Sequence, residues 1–166
     1  MSNFARSKGL GKWAESQVKR HLSEKENYIH IIDVSEDAAM QKHGVDFIWI
    51  KKEDAFAKSY LVDVKLDRLI SRTGNIFFET LSGKDIIGNL LTSIAETFMY
   101  LDPFGKELYY IDVNNLRSWW LLGHDDVEIK TVRNNDRLTQ GFCVKKEDIV
   151  KMGFGHVEPI VIEEKK

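Results

Sequence analysis

Two short apolar runs, each carrying a carboxylate, constrain this chain more than any other feature. Residues 45–50 contain Asp46, and residues 60–66 contain Asp63-Val64-Lys65. Both runs have the length and the β-branched and aromatic content of strands. Side chains two residues apart in a strand project to the same face, so Asp63 and Lys65 are expected to lie side by side. The pattern predicts two strands that bring two acids and a lysine together.

A helix is predicted before these strands, within residues 3–25. Its apolar stripe repeats every four residues and consists of Leu10, Ala14, Val18 and Leu22. Gly9 and Gly11 weaken the first turns, so the regular helix is expected to begin near Lys12.

The rest of the chain reads as a mixture of strands and short helices. A turn is predicted at residues 51–54, strands at 28–34, 75–80, 127–132 and 141–144, and a hairpin at 98–101 and 108–111. Residues 84–97 fit a helical stripe, residues 145–152 fit a short helix, and Asn114 or Asn115 is the expected N-cap of a helix carrying Trp119-Trp120. This order predicts one α/β domain over residues 1–166, with a mixed central sheet flanked by helices.

Composition narrows the functional classes. The 24 Lys and Arg residues are balanced by 26 Asp and Glu residues, so any nucleic-acid surface must be a local patch. Cys143 is the only cysteine, which excludes an internal disulfide and a thiolate zinc cage and favours a reducing, cytoplasmic location. The five histidines do not have the spacing of metal ligands. The sequence contains no run of about 18 apolar residues, so no membrane span is expected.

The acids and the lysine are suited to phosphodiester hydrolysis. Mg²⁺ prefers oxygen ligands and usually keeps several waters, so one or two carboxylates are enough to bind it. Asp46 and Asp63 are the candidate ligands, and the backbone carbonyl of Val64 is a third. Lys65 is expected either to orient the attacking water or to neutralise charge on the phosphate. Glu15, beside the stripe of the first helix, is the fourth candidate and the third acid, and its carboxylate could bind a metal-bound water.

These residues resemble the motifs of the PD-(D/E)XK, or restriction-endonuclease-like, nuclease superfamily. The matching positions are Glu15, Asp46 within Gly44-Val45-Asp46-Phe47, and Asp63-Val64-Lys65. The likeness covers roughly residues 8–111, including an αβββαβ order of elements, although Val45 stands where the family name has proline. It implies a restriction-endonuclease-like core and a DNA endonuclease that uses Mg²⁺, with Mn²⁺ as a substitute.

Two further implications follow from the resemblance. Residues 72–79 look like a segment of small phage-type members, which would place Asn75 and Glu79 near the active site. A branch-specific enzyme similar to archaeal Holliday junction resolvases is one option. Such an enzyme would fit a homodimer, because a four-way junction presents two symmetric cuts.

Other interpretations of the same residues remain open. Glu15 and Lys19 are four apart, which also suits a solvated helical ion pair. Glu79 alternates with Phe78 and fits a solvent-facing position, and Asn75 fits a turn around Gly74. A non-catalytic nucleic-acid-binding or regulatory module on the same fold is the main alternative to an enzyme.

The expected DNA contact surface consists of basic residues on the first helix and after the second acidic strand. Its members are Lys8, Lys12, Lys19, Arg20, Arg68, Arg72 and Lys84, with Asn75 beside them. Such residues would hold phosphates without reading bases. An ordinary solvated face explains them equally well. Trp119-Trp120 is expected to be core in preference to a base-stacking platform.

Overall fold

The computed structural model describes residues 3–83, 86–123, 127–134 and 137–163. The helices are α1 (Asn3–Ser23), α2 (Ala38–Lys42), α3 (Ile70–Thr73), α4 (Asn89–Thr92), α5 (Val113–Leu121) and α6 (Lys146–Lys151). The strands are β1 (Tyr28–Asp33), β2 (Phe47–Glu53), β3 (Phe56–Leu66), β4 (Asn75–Ser82), β5 (Ile86–Ile87), β6 (Thr97–Asp102), β7 (Glu107–Asp112), β8 (Lys130–Asn134), β9 (Arg137–Lys145) and β10 (Gly155–Pro159).

The strands form two sheets. The larger has six strands in the order β1-β2-β3-β6-β7-β10, and the smaller has four in the order β5-β4-β9-β8. Within the larger sheet only β3 and β6 are parallel, and the chain between them contributes α3, β4, β5 and α4. The α/β class and the mixed central sheet are thus confirmed.

The larger sheet is covered differently on its two faces. Helix α1 packs its buried stripe against one face, which supplies Phe47, Val62 and Met99. The smaller sheet and α5 pack against the other face, where Phe78 and Phe142 meet Tyr100. The α1 stripe works as its four-residue spacing predicts, because Ala14, Val18 and Leu22 are all buried.

Several boundaries differ from the sequence prediction. Helix α1 spans Asn3–Ser23, which confirms the predicted helix from about Asn3 to Lys25, and the later start near Lys12 was wrong despite the glycines. Strand β2 begins at Phe47, so Asp46 lies just before it, and it runs on to Glu53, which moves the predicted turn to Asp54 with a φ of 51°. Helix α5 is capped by Asp112, whose side chain accepts a hydrogen bond from the Asn115 amide at 2.9 Å, so the expected asparagine caps were wrong.

The segment predicted as one helix at residues 84–97 is divided. Lys84 and Asp85 lie outside the described residues, and the remainder forms the two-residue β5, the single-turn α4 and the start of β6. Helices α2 and α3 and strand β10 were not predicted, since each is short and lacks a clear apolar period. The Trp119-Trp120 pair packs against the core as expected, with Trp120 stacked on Phe142 at 4.4 Å between ring centroids.

Candidate active site at the end of strand β3

Asp46 lies just before β2 and bonds to β3 twice, once through its backbone and once through its side chain. Its backbone N–H donates to the Val62 carbonyl at 2.8 Å. Its Oδ2 then accepts the Val64 N–H at 2.7 Å, in the place where a further β2 residue would otherwise pair. Oδ1 accepts from Gln41 Nε2 at 3.1 Å, so both carboxylate oxygens are oriented. Asp46 is therefore fixed against the backbone of the residue between Asp63 and Lys65.

The Val64 carbonyl faces the same side of β3 as Asp46. In an extended strand the N–H and C=O of one residue point toward the same neighbour, and the Val64 N–H points toward Asp46. Alternate residues point the other way, toward β6, as the bond from the Glu96 N–H to the Leu61 carbonyl shows. The proposed backbone ligand thus lies on the side where β2 has ended.

Asp63 is a buried acid with incomplete hydrogen bonding. Its side chain projects to the face of the smaller sheet, and only 4% of the residue is exposed. Oδ2 lies 2.7 Å from Lys65 Nζ, as the two-residue spacing predicts. That oxygen is buried and makes no hydrogen bond of good geometry within the described residues. The Lys65 ammonium offsets part of the cost of burying this carboxylate, and a further cationic partner would stabilise it more.

The charge state of Asp63 follows from these surroundings. Burial raises the pKa of its carboxyl, and the nearby charge of Asp46 raises it further. The Lys65 ammonium and a hydrogen bond from Asn89 act in the opposite direction. The two acids are therefore close enough to interact, and added positive charge would stabilise both as carboxylates.

A turn and a short helix enclose Asp63 on its buried side. Gly44 has a φ of +67°, and a Cβ built there would lie 2.8 Å from Asn89 Nδ2 and 3.2 Å from Asp63 Oδ2. The Ser93 hydroxyl donates to the Gly44 carbonyl at 3.1 Å. Arg117 donates to the Ser93 carbonyl at 2.7 Å and so holds the end of α4 in place. The wall behind Asp63 is consequently tight and admits only glycine at position 44.

Of the two central acids, Glu15 interacts with Asp46 and not with Asp63. It extends from α1 on the opposite face of the sheet. Burial raises the pKa of Glu15, and the charge of Asp46 raises it further. Lys19 lies 3.7 Å from Glu15 and 2.6 Å from Asp33, so the predicted helical pair exists. A groove of about 540 Å³ runs between α1 and the segment after β1 and includes Glu15, Lys12 and Lys19 in its lining.

Glu79 and Asn75 lie on β4 in the smaller sheet. The charges of Glu79 and Asp63 both act on Tyr100, whose hydroxyl donates to the Phe77 carbonyl at 3.1 Å. Glu79 is therefore a neighbour of Asp63 across one tyrosine. Asn75 donates to the Thr73 carbonyl at 2.8 Å in the turn at Gly74, which is the turn role considered from sequence.

The basic residues named as DNA contacts fall into two groups. Lys12 pairs with Glu36, Lys19 with Asp33 and Glu15, and Arg20 with Glu163. Arg68 and Arg72 are exposed, and neither forms an ion pair with any described residue. Lys84 and the side chain of Lys8 lie outside the described residues.

The oxygen donors around Asp63 are few but suit a partly hydrated Mg²⁺ ion. Among the described residues, no three His, Cys, Asp or Glu side chains form a group that could hold a metal ion. Two carboxylates and a backbone carbonyl satisfy a cation that keeps several waters, so a three-acid cage is not required. The unsatisfied Asp63 oxygen beside Asp46 and the Val64 carbonyl fits this need. In the part of the chain described, no helix is long and apolar enough to cross a membrane.

Comparison of the chain with protein-family models, curated proteins and solved structures gives no match. The case for a function therefore rests on the residues and their geometry.

Three residues of the site were missed from sequence. Gln41 orients Asp46, Asn89 contacts Asp63, and Ser93 fixes the turn at Gly44. None lies at a motif spacing from the acids: Gln41 contacts Asp46 from five residues upstream through the turn after α2, and tertiary packing brings α4 to β3. The one available signal was Gly44 directly before an apolar strand, where glycine often marks a close approach.

Proposed function

We propose that this chain is a Mg²⁺-dependent DNA endonuclease with a restriction-endonuclease-like core. The observation that carries the proposal is the buried Asp63 carboxylate, incompletely hydrogen-bonded and placed beside Asp46 and Lys65. Two of the four buried side-chain atoms that lack a hydrogen-bond partner among the described residues, Asp63 Oδ2 and Asn89 Oδ1, lie at this site, and a bound cation would offset the electrostatic cost of the Asp63 carboxylate. The crossover between β3 and β6 departs from a simple αβββαβ order, since it contains strands of a second sheet.

Asp46, Asp63 and the Val64 carbonyl are the residues that would hold Mg²⁺. When bound, Mg²⁺ supplies a nucleophilic water and neutralises charge on the scissile phosphate. Asp46 is prepared for this role because Gln41 and the Val64 N–H fix its two oxygens. Asp63 is prepared because Asn89 and the Gly44 turn confine its side chain.

Lys65 provides the positive charge on the open side of the site. Its Nζ lies 2.7 Å from Asp63 and 5.7 Å from the Phe98 ring centroid, and its side chain is about one-third exposed. An ammonium in this position can donate to a phosphate oxygen or to the attacking water. Glu15 and Glu79 lie around the central acids, Glu15 next to Asp46 and Glu79 across Tyr100. Their role is to position water or a second cation.

The test is cleavage of supercoiled plasmid, a four-way junction and single-stranded DNA in Mg²⁺, with EDTA as a blank. Lys65→Ala is expected to lower the rate by about 100-fold or more, because it removes a charge at the reacting phosphate. Lys58→Ala is the matched control, since Lys58 lies on the same strand about 23 Å away and pairs with Glu53. Equal rates for wild type and Lys65→Ala would reject the proposal. If a dimer of the protein cuts the four-way junction symmetrically, the enzyme is a Holliday junction resolvase.

A non-catalytic module is the second candidate. The lack of a three-acid metal group among the described residues and the net charge of -2 favour it. It predicts DNA binding without cleavage and no carboxylate-dependent binding of Mg²⁺. Calorimetry that detects a cation site in wild type but not in Asp63→Asn would reject this candidate.

A further inference from the structure

An exposed platform follows β3 directly, at the end where Asp63 and Lys65 lie. It consists of Arg68, Leu69, Arg72 and Phe104, which line an open groove of about 630 Å³ with Ser71. Phe104 is 64% exposed and Leu69 is 49% exposed. The Arg68 guanidinium lies 5.6 Å from the Phe104 ring centroid. Phe104 and Leu69 thus present apolar surface in the same groove as two arginines, a combination suited to a ligand that has a flat apolar face and negative charge.

The platform is rigid because a buried acid ties its two segments together. Asp102 is fully buried and accepts the amides of Phe104 and Gly105, each at 3.1 Å. It also accepts the hydroxyl of Ser71, on the segment that carries the arginines. A Cβ at Gly105 would lie 2.6 Å from the Asp102 carboxylate, so the turn permits glycine only. Phe104 is thus presented by a fixed turn and is not a side chain that has failed to pack.

Its two arginines are exposed and form no ion pair with the described residues, whereas Lys12, Lys19 and Arg20 are engaged by acids. The acids of the same two segments, Asp67 and Asp102, accept instead from backbone amides and from the Ser71 hydroxyl. An aromatic ring, an arginine plane and a second free arginine together suit a flat base followed by a phosphate. Arg68 comes three positions after Lys65, which is at most about 10 Å of extended chain, or about three stacked nucleotide steps.

We propose that this platform stacks an unpaired nucleotide of the DNA substrate, so that the enzyme acts next to single-stranded or gapped segments. Phe104 and Arg68 stack on the base, and Arg72 binds the neighbouring phosphate. This deepens the proposed function and rests on it for the position of the scissile bond. Duplex DNA would meet the same arginines but would have no free base face for Phe104.

The test measures fluorescence anisotropy of a labelled single strand, a duplex and a gapped duplex in EDTA, where cleavage cannot occur. Phe104→Ala is expected to weaken single-strand and gapped binding by at least about fivefold and to leave duplex binding unchanged. Phe104→Trp should retain or strengthen it. Arg72→Ala should weaken every substrate and reduce the slope of log affinity against log salt by about 0.7–0.9.

Phe56→Ala is the matched control. Phe56 is a 78% exposed phenylalanine at the start of β3, about 30 Å from the platform along the strand. Its removal should change nothing. Single-strand affinity that is equal in wild type and Phe104→Ala, or lowered as much by Phe56→Ala, would overturn the inference. The inference would also be overturned if the wild type bound single strands no more tightly than duplex DNA, or if Phe104→Ala changed only self-association of the protein.

The two proposals fail in distinguishable ways. If Phe104→Ala loses single-strand binding in EDTA but no variant cleaves in Mg²⁺, the stacking site stands and the nuclease proposal falls. If wild type cleaves and Phe104→Ala keeps the same preference for gapped over duplex DNA, the stacking site falls and the nuclease proposal stands. The exposed position of Phe104 means that a thermal unfolding midpoint within about 1 °C of wild type is expected, which confirms an intact fold.

Discussion

Two carboxylates on the larger sheet, three strands apart and on opposite faces, show how differently a fold can treat an acid. Glu158 on β10 receives hydrogen bonds from His21 at 3.1 Å, from Tyr110 at 3.1 Å and from Lys25. Burial raises the pKa of Glu158, but the bonds from Lys25 and His21 outweigh burial and lower it to about 2. Asp63 has Lys65 beside it and a raised pKa. The first acid is satisfied by its neighbours, and we propose that the second binds a cation.

The largest expected contrast is in cleavage. Asp63→Asn removes a cation ligand and should lower Mg²⁺-dependent DNA cleavage by about 100–1,000-fold. Glu158→Gln should leave the rate within about twofold, because Glu158 lies outside the site. Initial rates on the preferred DNA, measured at saturating Mg²⁺, check both. A comparable loss in both variants would mean that the two acids share one role.

Folding stability should change in opposite directions in metal-free buffer. Glu158→Gln should lower the free energy of unfolding at pH 7 by about 1–2 kcal/mol, a value reduced by partial solvent screening. Asp63→Asn should raise it, because the amide removes a buried charge without a full set of partners. Urea unfolding of the two variants measures the difference, and destabilisation by Asp63→Asn in metal-free buffer would contradict it.

The pH dependence separates the same two acids. The pKa of Glu158 is lowered in the folded state, so its contribution is complete above about pH 4.5 and is lost as the pH falls toward 2. The pKa of Asp63 is raised, so its ionisation costs stability as the pH rises above 3.8, its ordinary value. Glu158→Gln should therefore reduce the loss of unfolding free energy between about pH 4.5 and 2. Asp63→Asn should remove the loss of unfolding free energy that accompanies ionisation of Asp63 above pH 3.8.

A smaller effect is expected at the glycine behind Asp63. Gly44→Ala adds a methyl group 3.2 Å from Asp63 Oδ2 at a φ of +67° and should weaken Mg²⁺ binding as well as stability. Gly153→Ala meets nothing within 4 Å at a φ of +71° and should cost only the backbone strain, about 1 kcal/mol. Mg²⁺ titrations of both variants distinguish backbone strain, which both share, from displacement of the Asp63 carboxylate, which only Gly44→Ala should cause. Equal Mg²⁺ affinities would show that the Gly44 turn does not position Asp63.

Glu15→Gln should have the mildest effect on cleavage, about tenfold or less. Glu15 interacts with Asp46 but extends from the face opposite Asp63, so it can adjust only one ligand. The rate at several Mg²⁺ concentrations tests this. A loss as large as that of Asp63→Asn would place Glu15 among the ligands themselves.

Local patterns allowed prediction of the longer strands and the α1 stripe, because periodicity reports burial directly. Ala14, Val18 and Leu22 repeat at helical spacing and are buried, and Asp63 and Lys65 alternate with buried Val62 and meet as expected. Asn89 and Gln41 could not be predicted, since their contacts with the acids depend on how α4 and α2 pack. The second sheet was missed because β5 is two residues long and β4 pairs with β9, more than 50 residues later.

The most direct measurement is Mn²⁺ binding to the wild-type protein by calorimetry, with Asp63→Asn and Glu158→Gln as partners. We expect a saturable site in wild type and Glu158→Gln that is absent from Asp63→Asn. Wild type that binds no Mn²⁺, or Asp63→Asn that binds it with unchanged affinity, would contradict it.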